Sequence, residues 1–155
     1  MKVDAMEISA SGLRAQRIRM EVVANNLANM ETTDSGARSV ETDAAGNSYT
    51  RYAPYHRRLA VFSSGGDGQD DPRLGVAVPA VVEDTVSAPR KVDMPEHEHA
   101  VKNPNAPDYG SVYFPNVNPL IETVDMMAAT RAYDANVTAI EALKAMGEAS
   151  LRILA

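Results

Sequence analysis

The chain has 155 residues, a formal charge of −6 and no cysteine or tryptophan; its apolar residues are largely Ala, Val and Met, with only two Phe. That length suits one domain with a modest core, and the missing thiols exclude disulfides, thiolate metal sites and thiol catalysis. The acidic balance argues against generic binding to nucleic acid or anionic lipid, which need an electropositive surface.

The first nineteen residues, MKVDAMEISASGLRAQRIR, hold no continuous apolar run, because Asp4, Glu7 and Arg14 interrupt it. They do not read as a cleavable secretory signal. No stretch is long enough to span a bilayer, so direct membrane insertion is not expected. Export from the cytoplasm would need a route that does not read such a signal.

From Met6 the apolar positions Ala10, Leu13, Met20, Ala24 and Leu27 advance by fours and threes, a heptad seam broken at Arg17. This predicts a helix over residues 5–30, about 39 Å long. With Leu27 on the seam, Asn25, Asn26 and Asn29 fall on the opposite face, where solvated helices usually carry charge. Two readings stay open. Amides suit a face that meets other protein, since they hydrogen-bond without the desolvation cost of an ion; alternatively, Asn marks a fraying helix end.

Residues 34–48 read as a linker, with Gly36 as the exit from the helix. Tyr49–Phe62 and Gly75–Asp84 are predicted strands, and Pro79 makes the second an edge. The intervening GGDGQDD, Gly65–Asp71, resembles one copy of a calcium-binding nonapeptide. Such motifs work by stacking copies, so a solvated loop is the default. Residues 87–110 hold four of the nine prolines and read as extended or irregular. Within them, Glu96-His97-Glu98-His99 could aim His97 and His99 at one metal, but no third ligand is placed by any sequence rule. Tyr49, Arg51, Tyr52, Tyr55, His56, Arg57 and Arg58 interleave aromatic and basic groups. Single-stranded nucleic-acid binders use such platforms, as do protein interfaces; the acidic remainder favours a subunit contact and no nucleic acid.

Asn118-Pro119 suits a helix start, and no further proline follows. Met126, Thr130, Tyr133, Val137, Ile140, Lys144, Gly147, Leu151 and Leu154 keep the three-four spacing, while Leu120, Val124 and Met127 begin a second stripe and Leu143, Met146 and Ile153 a third. The helix, about 55 Å long, therefore needs several neighbours. The predicted fold is α+β: long terminal helices pairing as a coiled coil around a small β-rich insert. Its parts are an N-terminal assembly helix at 1–33, the insert with extended loops at 34–116, and a C-terminal assembly helix at 117–155. Helices with broken seams are marginal alone, so the ends are expected to order on assembly.

Several of these segments together carry a resemblance. Ser11-Gly12-Leu13, then Ala24-Asn25-Asn26-Leu27-Ala28-Asn29 and Thr32, is similar to the N-terminal signature of the bacterial flagellar rod and hook family. Phe114-Pro115-Asn116-Val117-Asn118-Pro119, Glu122, Met126 or Met127, and Arg131-Ala132-Tyr133-Asp134-Ala135-Asn136 resemble its C-terminal signature. The resemblance implies a structural subunit of the flagellar basal body, placed in the periplasmic rod. Its terminal helices would pair and stack around an export channel, forming part of a torque-transmitting driveshaft. Its partners would be copies of itself, other rod proteins and the flagellar type III export apparatus, which suits the missing signal. The assembly interface would comprise Leu13, Met20, Ala24, Asn25, Asn26, Leu27, Asn29, Met126, Arg131, Tyr133, Asn136, Val137, Ile140 and Leu151. The linker at 34–48 is longer than the family's usual one, and residues 85–108 match it loosely. No cofactor, metal or catalytic residue is expected. The rival readings are a soluble helical adaptor or chaperone forming a finite complex, and a metal-dependent binding module.

Overall fold

The computed structural model describes residues 5–43, 45–65 and 75–154. Among the described residues two long helices bracket six short strands: α1 (Ala5–Ala28), β1 (Arg38–Thr42), β2 (Ser48–Tyr52), β3 (Arg58–Ser64), β4 (Val76–Glu83), β5 (Arg90–Asp93), β6 (Ser111–Phe114) and α2 (Pro119–Leu154). These strands of the described residues pair only as neighbours in sequence, giving three two-stranded sheets. The predicted α+β architecture, with paired terminal helices around a β-rich middle, is the one observed.

The chain divides into two compact units. One holds residues up to Ala24, Arg58–Val82 and the chain from Leu120; the other holds Asn25–Arg57 and Glu83–Pro119.

In the first unit α1 and α2 run antiparallel. A Cβ built on Gly12 would lie 3.1 Å from the Asn136 amide, Arg19 bonds Asp125 at 2.8 Å, and the Thr130 hydroxyl reaches Met20 Sδ at 3.6 Å. Rising numbers on α1 thus meet falling numbers on α2. With 24 residues against 36, α1 is shorter by about 18 Å. Beside the helices β3 and β4 form an antiparallel hairpin, closed near its turn by Gly65 N–H donating to Gly75 O. Its loop, which carries the rest of the GGDGQDD motif, lies outside the described residues.

In the second unit β1 and β2 pair antiparallel from Arg38 opposite Tyr52 to Thr42 opposite Ser48. Their turn is organised by Asp43, whose carboxylate accepts from Ala45 N–H and Asn47 N–H while Gly46 takes a positive φ of 88°. The third hairpin pairs Arg90 with Phe114 and Asp93 with Ser111. Between its strands the proline-rich chain folds back in successive turns: Val101 N–H donates to Ser111 O and Gly110 N–H to Val101 O. This buries Ala100, Val101, Ala106 and Val112.

Three strand expectations need correction. The run Tyr49–Phe62 is two strands, β2 and β3, because Pro54 supplies no donor and fixes φ. The supposed linker contains β1, whose alternation is too short to see without its partner. The supposedly irregular 87–110 contributes β5. The helices end at Ala28 and Leu154, close to the expected bounds.

The core is made of small residues. Glu122, Val101, Val112, Asn26 and Ser111 are the largest fully buried side chains.

Candidate functional site

The two terminal segments carry the predicted assembly residues, and the structure sorts them into an inward and an outward set. On α1 the buried positions are Ser11, Ala15, Val22, Val23 and Asn26. This is not the expected seam. Adjacent helix positions differ by about 100°, and the buried stripe falls well round from Met6, Ala24 and Leu27; Leu27 is 37 % exposed whereas Asn26 is 1 %. The physical reason is residue size. Ser11, Gly12 and Ala15 let other backbone approach α1 closely, so its small face turns inward and the ends of the large apolar seam stay partly out.

Ser11 shows this best. Its hydroxyl donates to Ile8 O at 2.6 Å and accepts from Val76 N–H at 3.0 Å, tying the β3–β4 hairpin to α1. Gly75 sits against that hydroxyl at φ 89°, and any side chain there would collide with Ser11 Oγ. One helix turn therefore holds the hairpin through Ser11 and admits α2 through Gly12. Asn136 Nδ2 donates to Ala132 O within its own helix, so the amide presented to Gly12 is held in place.

On α2 the inward stripe is Glu122, Met126, Ala129, Tyr133, Asn136, Val137, Ile140 and Leu143, buried or half-buried. Ala129 and Glu122 are fully buried; Glu122 lies in the first turn, where the helix N-terminus favours a carboxylate. Of the predicted stripe, Met126, Tyr133, Val137 and Ile140 face inward, whereas Thr130, Lys144, Gly147 and Leu151 are exposed. The second predicted stripe looks outward, with Leu120 72 % and Val124 53 % exposed, alongside Ile121 and Met127. Leu13, Met20 and Asn29 are half-buried; Ala24, Asn25 and Arg131 are exposed.

The three asparagines do three different things. Asn26 is buried and its Oδ1 accepts from the Tyr55 hydroxyl at 3.0 Å, fixing the chain that leads from β2 to β3. Asn29 Nδ2 donates to Asn25 O, and Asn29 Oδ1 accepts from the Thr32 hydroxyl. Asn25 O, which already accepts from Asn29 N–H, thus takes a second hydrogen bond at the end of α1. Asn25 is exposed. The opposite-face assignment thus fails for Asn26, which serves the chain's own packing.

A second cluster was not visible in the sequence. In the second unit, Arg51 donates through Nε and Nη2 to Asp108 Oδ2, at 3.1 and 2.5 Å, and pairs with Glu41 at 2.7 Å. The Tyr113 hydroxyl also donates to Asp108 Oδ2, Tyr49 donates to Glu41, and the guanidinium lies 4.9 Å from the Tyr113 ring centre. Burial opposes ionisation of Asp108, but the Arg51 and Tyr113 bonds outweigh it and hold the carboxyl below its usual range. Burial and then Asp108 push the Tyr113 phenol up. The aromatic-basic run is therefore spent largely inside the unit. Tyr52 likewise stacks on His99 at 4.6 Å and lies under Arg38. Only pairing over 57 residues of separation reveals this, and no local pattern encodes it.

His97 and His99 pack edge-on with ring centres 5.5 Å apart. His97 Nδ1 accepts from His99 N–H, and His99 Nδ1 meets the Thr33 hydroxyl at 2.7 Å. Among the described residues no three His, Asp or Glu side chains are grouped to hold a metal ion, and no helix is long and apolar enough to cross a membrane.

Comparison with known proteins agrees with the terminal segments and extends past them. Residues 6–34 match the family model for flagella basal body rod protein, and residues 110–153 that for the flagellar basal body rod FlgEFG protein C-terminal. The flagellar basal-body rod protein FlgC of Bacillus subtilis is 36 % identical over 96 % of this chain and 95 % of its own length. FlgC of Aquifex aeolicus is 36 % identical over 94 % and 91 %, and that of Borreliella burgdorferi 33 % over 97 % and 95 %. Similarity at that level along nearly the whole chain, middle included, goes beyond a shared pair of helices: the chain belongs to the flagellar basal-body rod protein FlgC family.

Proposed function

We infer that this protein is a structural, non-enzymatic subunit of the proximal flagellar rod, polymerising through its terminal helices into part of the driveshaft and its export channel. Residues 1–33 and 117–155 act as assembly segments and 34–116 as the insert. The subunit works in the periplasmic span of the basal body. Its partners are copies of itself and other rod proteins, and the flagellar type III apparatus exports it. The observation that carries this reading is an antiparallel helix pair, in a chain of the rod family, that keeps Ile121, Val124 and Met127 about half exposed or more. Large apolar side chains in such number are costly in water, at about 25 cal/mol per Å² left uncovered, and neighbouring subunits would remove that cost. Leu13, Met20, Asn136, Val137 and Ile140 would then hold the pair together, while Ala24, Asn25, Leu27, Arg131 and Leu151 meet neighbours.

Leu27→Asp tests the division. Leu27 is partly exposed, so the monomer should keep its secondary structure and sedimentation while incorporation into rods and swimming are lost. Normal rods carrying this variant would remove Leu27 from the interface. Sparse internal burial also implies that the ends tighten on assembly; strong amide protection of both terminal segments in dilute monomer would contradict that.

A further inference from the structure

In the second unit the β1–β2 hairpin has an edge that borders a cleft. Asp43 N–H donates to Asn47 O at one end of the ladder and Ala53 N–H to Ala37 O at the other. Bonded positions alternate with unbonded ones in an antiparallel pair, so Tyr49 and Arg51 spend their main-chain groups on β1, opposite Glu41 and Ser39. Ser48, Thr50 and Tyr52 turn theirs the other way. With Tyr49 they line a cleft of about 320 Å³, whose other wall is Glu98, Ala100, Lys102 and Asn103. That wall is fastened to the hairpin at both ends. The His99 ring stacks on Tyr52 with centres 4.6 Å apart, and Asn103 Nδ2 donates to Asp43 Oδ2 at 2.9 Å beside the turn. Between these ties the wall bonds away from β2, since Val101 N–H donates to Ser111 O and Val101 O accepts from Gly110 N–H. Among the described residues no main-chain hydrogen bond crosses the cleft.

We propose that this cleft is a peptide-binding site: an extended segment of a partner protein, carrying both a basic and an acidic side chain, lies along β2 as a third strand. The outward main-chain groups repeat every second residue, about 6.6 Å apart, which is the spacing at which an added strand presents its own. Ser48 to Tyr52 spans about 13 Å, so a stretch of about five residues is read. Glu98 and Lys102, exposed on the facing wall, offer opposite charges and select a segment of mixed sign over a strongly acidic or basic one. Because both ends of the wall are tied to the hairpin, the site is formed before the peptide arrives, and little has to be ordered on binding. The site lies wholly in the second unit and stands whether or not the terminal helices polymerise.

The probe is a capped pentapeptide with the sequence of β1, Arg-Ser-Val-Glu-Thr, which carries both charges and which β2 already accepts on its other side. Amide exchange of the full-length protein is followed residue by residue by NMR. Excess peptide should slow exchange at Ser48, Thr50 and Tyr52 by about threefold or more, with Tyr49 and Arg51, already bonded to β1, unchanged. Two N-methylated peptides sharpen the readout, because an added strand offers its N–H groups to β2 only at alternate residues. Methyls on Ser and Glu, or instead on Val and Thr, should give one peptide that no longer protects and one that still does. Thr50→Pro removes a donor that makes no ladder bond, and should abolish the protection at Ser48 and Tyr52 while exchange at Tyr49 and Arg51 holds. No slowing at the three amides overturns the site. Equal protection by both methylated peptides overturns strand pairing in favour of side-chain contact, and faster exchange at Ser39 and Glu41 overturns it by showing that the peptide has displaced β1.

Discussion

Replacing Arg51 by Met should destabilise the second unit substantially, because it keeps the aliphatic stem and removes the cation that neutralises Asp108. The Asp108 side chain is 4 % exposed, and its Oδ1 has no hydrogen-bond partner among the described residues. Stranding one member of a buried ion pair costs about 3–5 kcal/mol. Two features reduce that figure here. The Arg51 side chain is 30 % exposed, so water enters as the guanidinium leaves, and Tyr113 continues to donate to Asp108 Oδ2. A loss of about 2–3 kcal/mol follows. Tyr49 and Tyr113 border the cluster and the chain has no Trp, so a urea titration followed by tyrosine fluorescence reads it directly. At a slope of about 1–2 kcal/mol per molar, the midpoint should fall by about 1–3 M. Arg51→Lys should recover only part of this, since an ammonium cannot reproduce the fork that spans Asp108 and Glu41. Adding Asp108→Asn to Arg51→Met should cost less than the two single changes together. A loss below about 0.5 kcal/mol for Arg51→Met, the range of exposed pairs, would show that the cluster is solvated and that its geometry carries no energy.

Acid should also weaken this unit. The Asn103 amide, with the Asn47 and Ala45 donors, lowers the Asp43 carboxyl to about 2 from 3.8. A depressed folded value means stability present above about pH 4 and lost as pH falls toward 2, so Asp43→Asn should flatten the acid limb of a stability–pH curve measured by urea midpoint. Gly12→Val places two methyls and a Cβ against Asn136, already 3.1 Å from the first of these atoms; overpacking of this kind costs about 1–3 kcal/mol, and thermal melting by helix ellipticity should fall accordingly. Ser11→Ala removes the acceptor for Val76 N–H at a cost of about 1 kcal/mol. Faster amide exchange at Val76, with exchange in β1 and β2 unchanged, is its signature.

The termini could be read from sequence because their signals are local and long. Three-four spacing over residues 5–30 and 119–155, Asn118-Pro119 at the second start, and the signature residues around Asn26 and Tyr133 each depend on neighbours within a few turns. The candidate assembly set drew on the same information; in the structure two of its members, Met20 and Asn136, lie against Thr130 and Gly12, which are outside the set. Short strands are less legible. β1 and β5, at five and four residues, acquire meaning only from their partners, since a strand's hydrogen bonds lie entirely outside itself.

Periodicity fixes that a helix is amphipathic, but which side faces in depends on what arrives to cover it. Leu27 and Asn26 are neighbours, and hydrophobicity alone puts the leucine inside; the approach of Tyr55, 29 residues away, puts the asparagine there instead. The Arg51–Asp108 pair and the Ser11–Val76 bond have the same origin, because close approach is a property of the folded backbone and of the small residues that permit it. Sequence by itself determined the two long terminal helices, the acidic thiol-free chemistry and the family signature. The tertiary structure alone decided the rotation of α1 and the packing of Arg51 against Asp108 and of Tyr52 against His99.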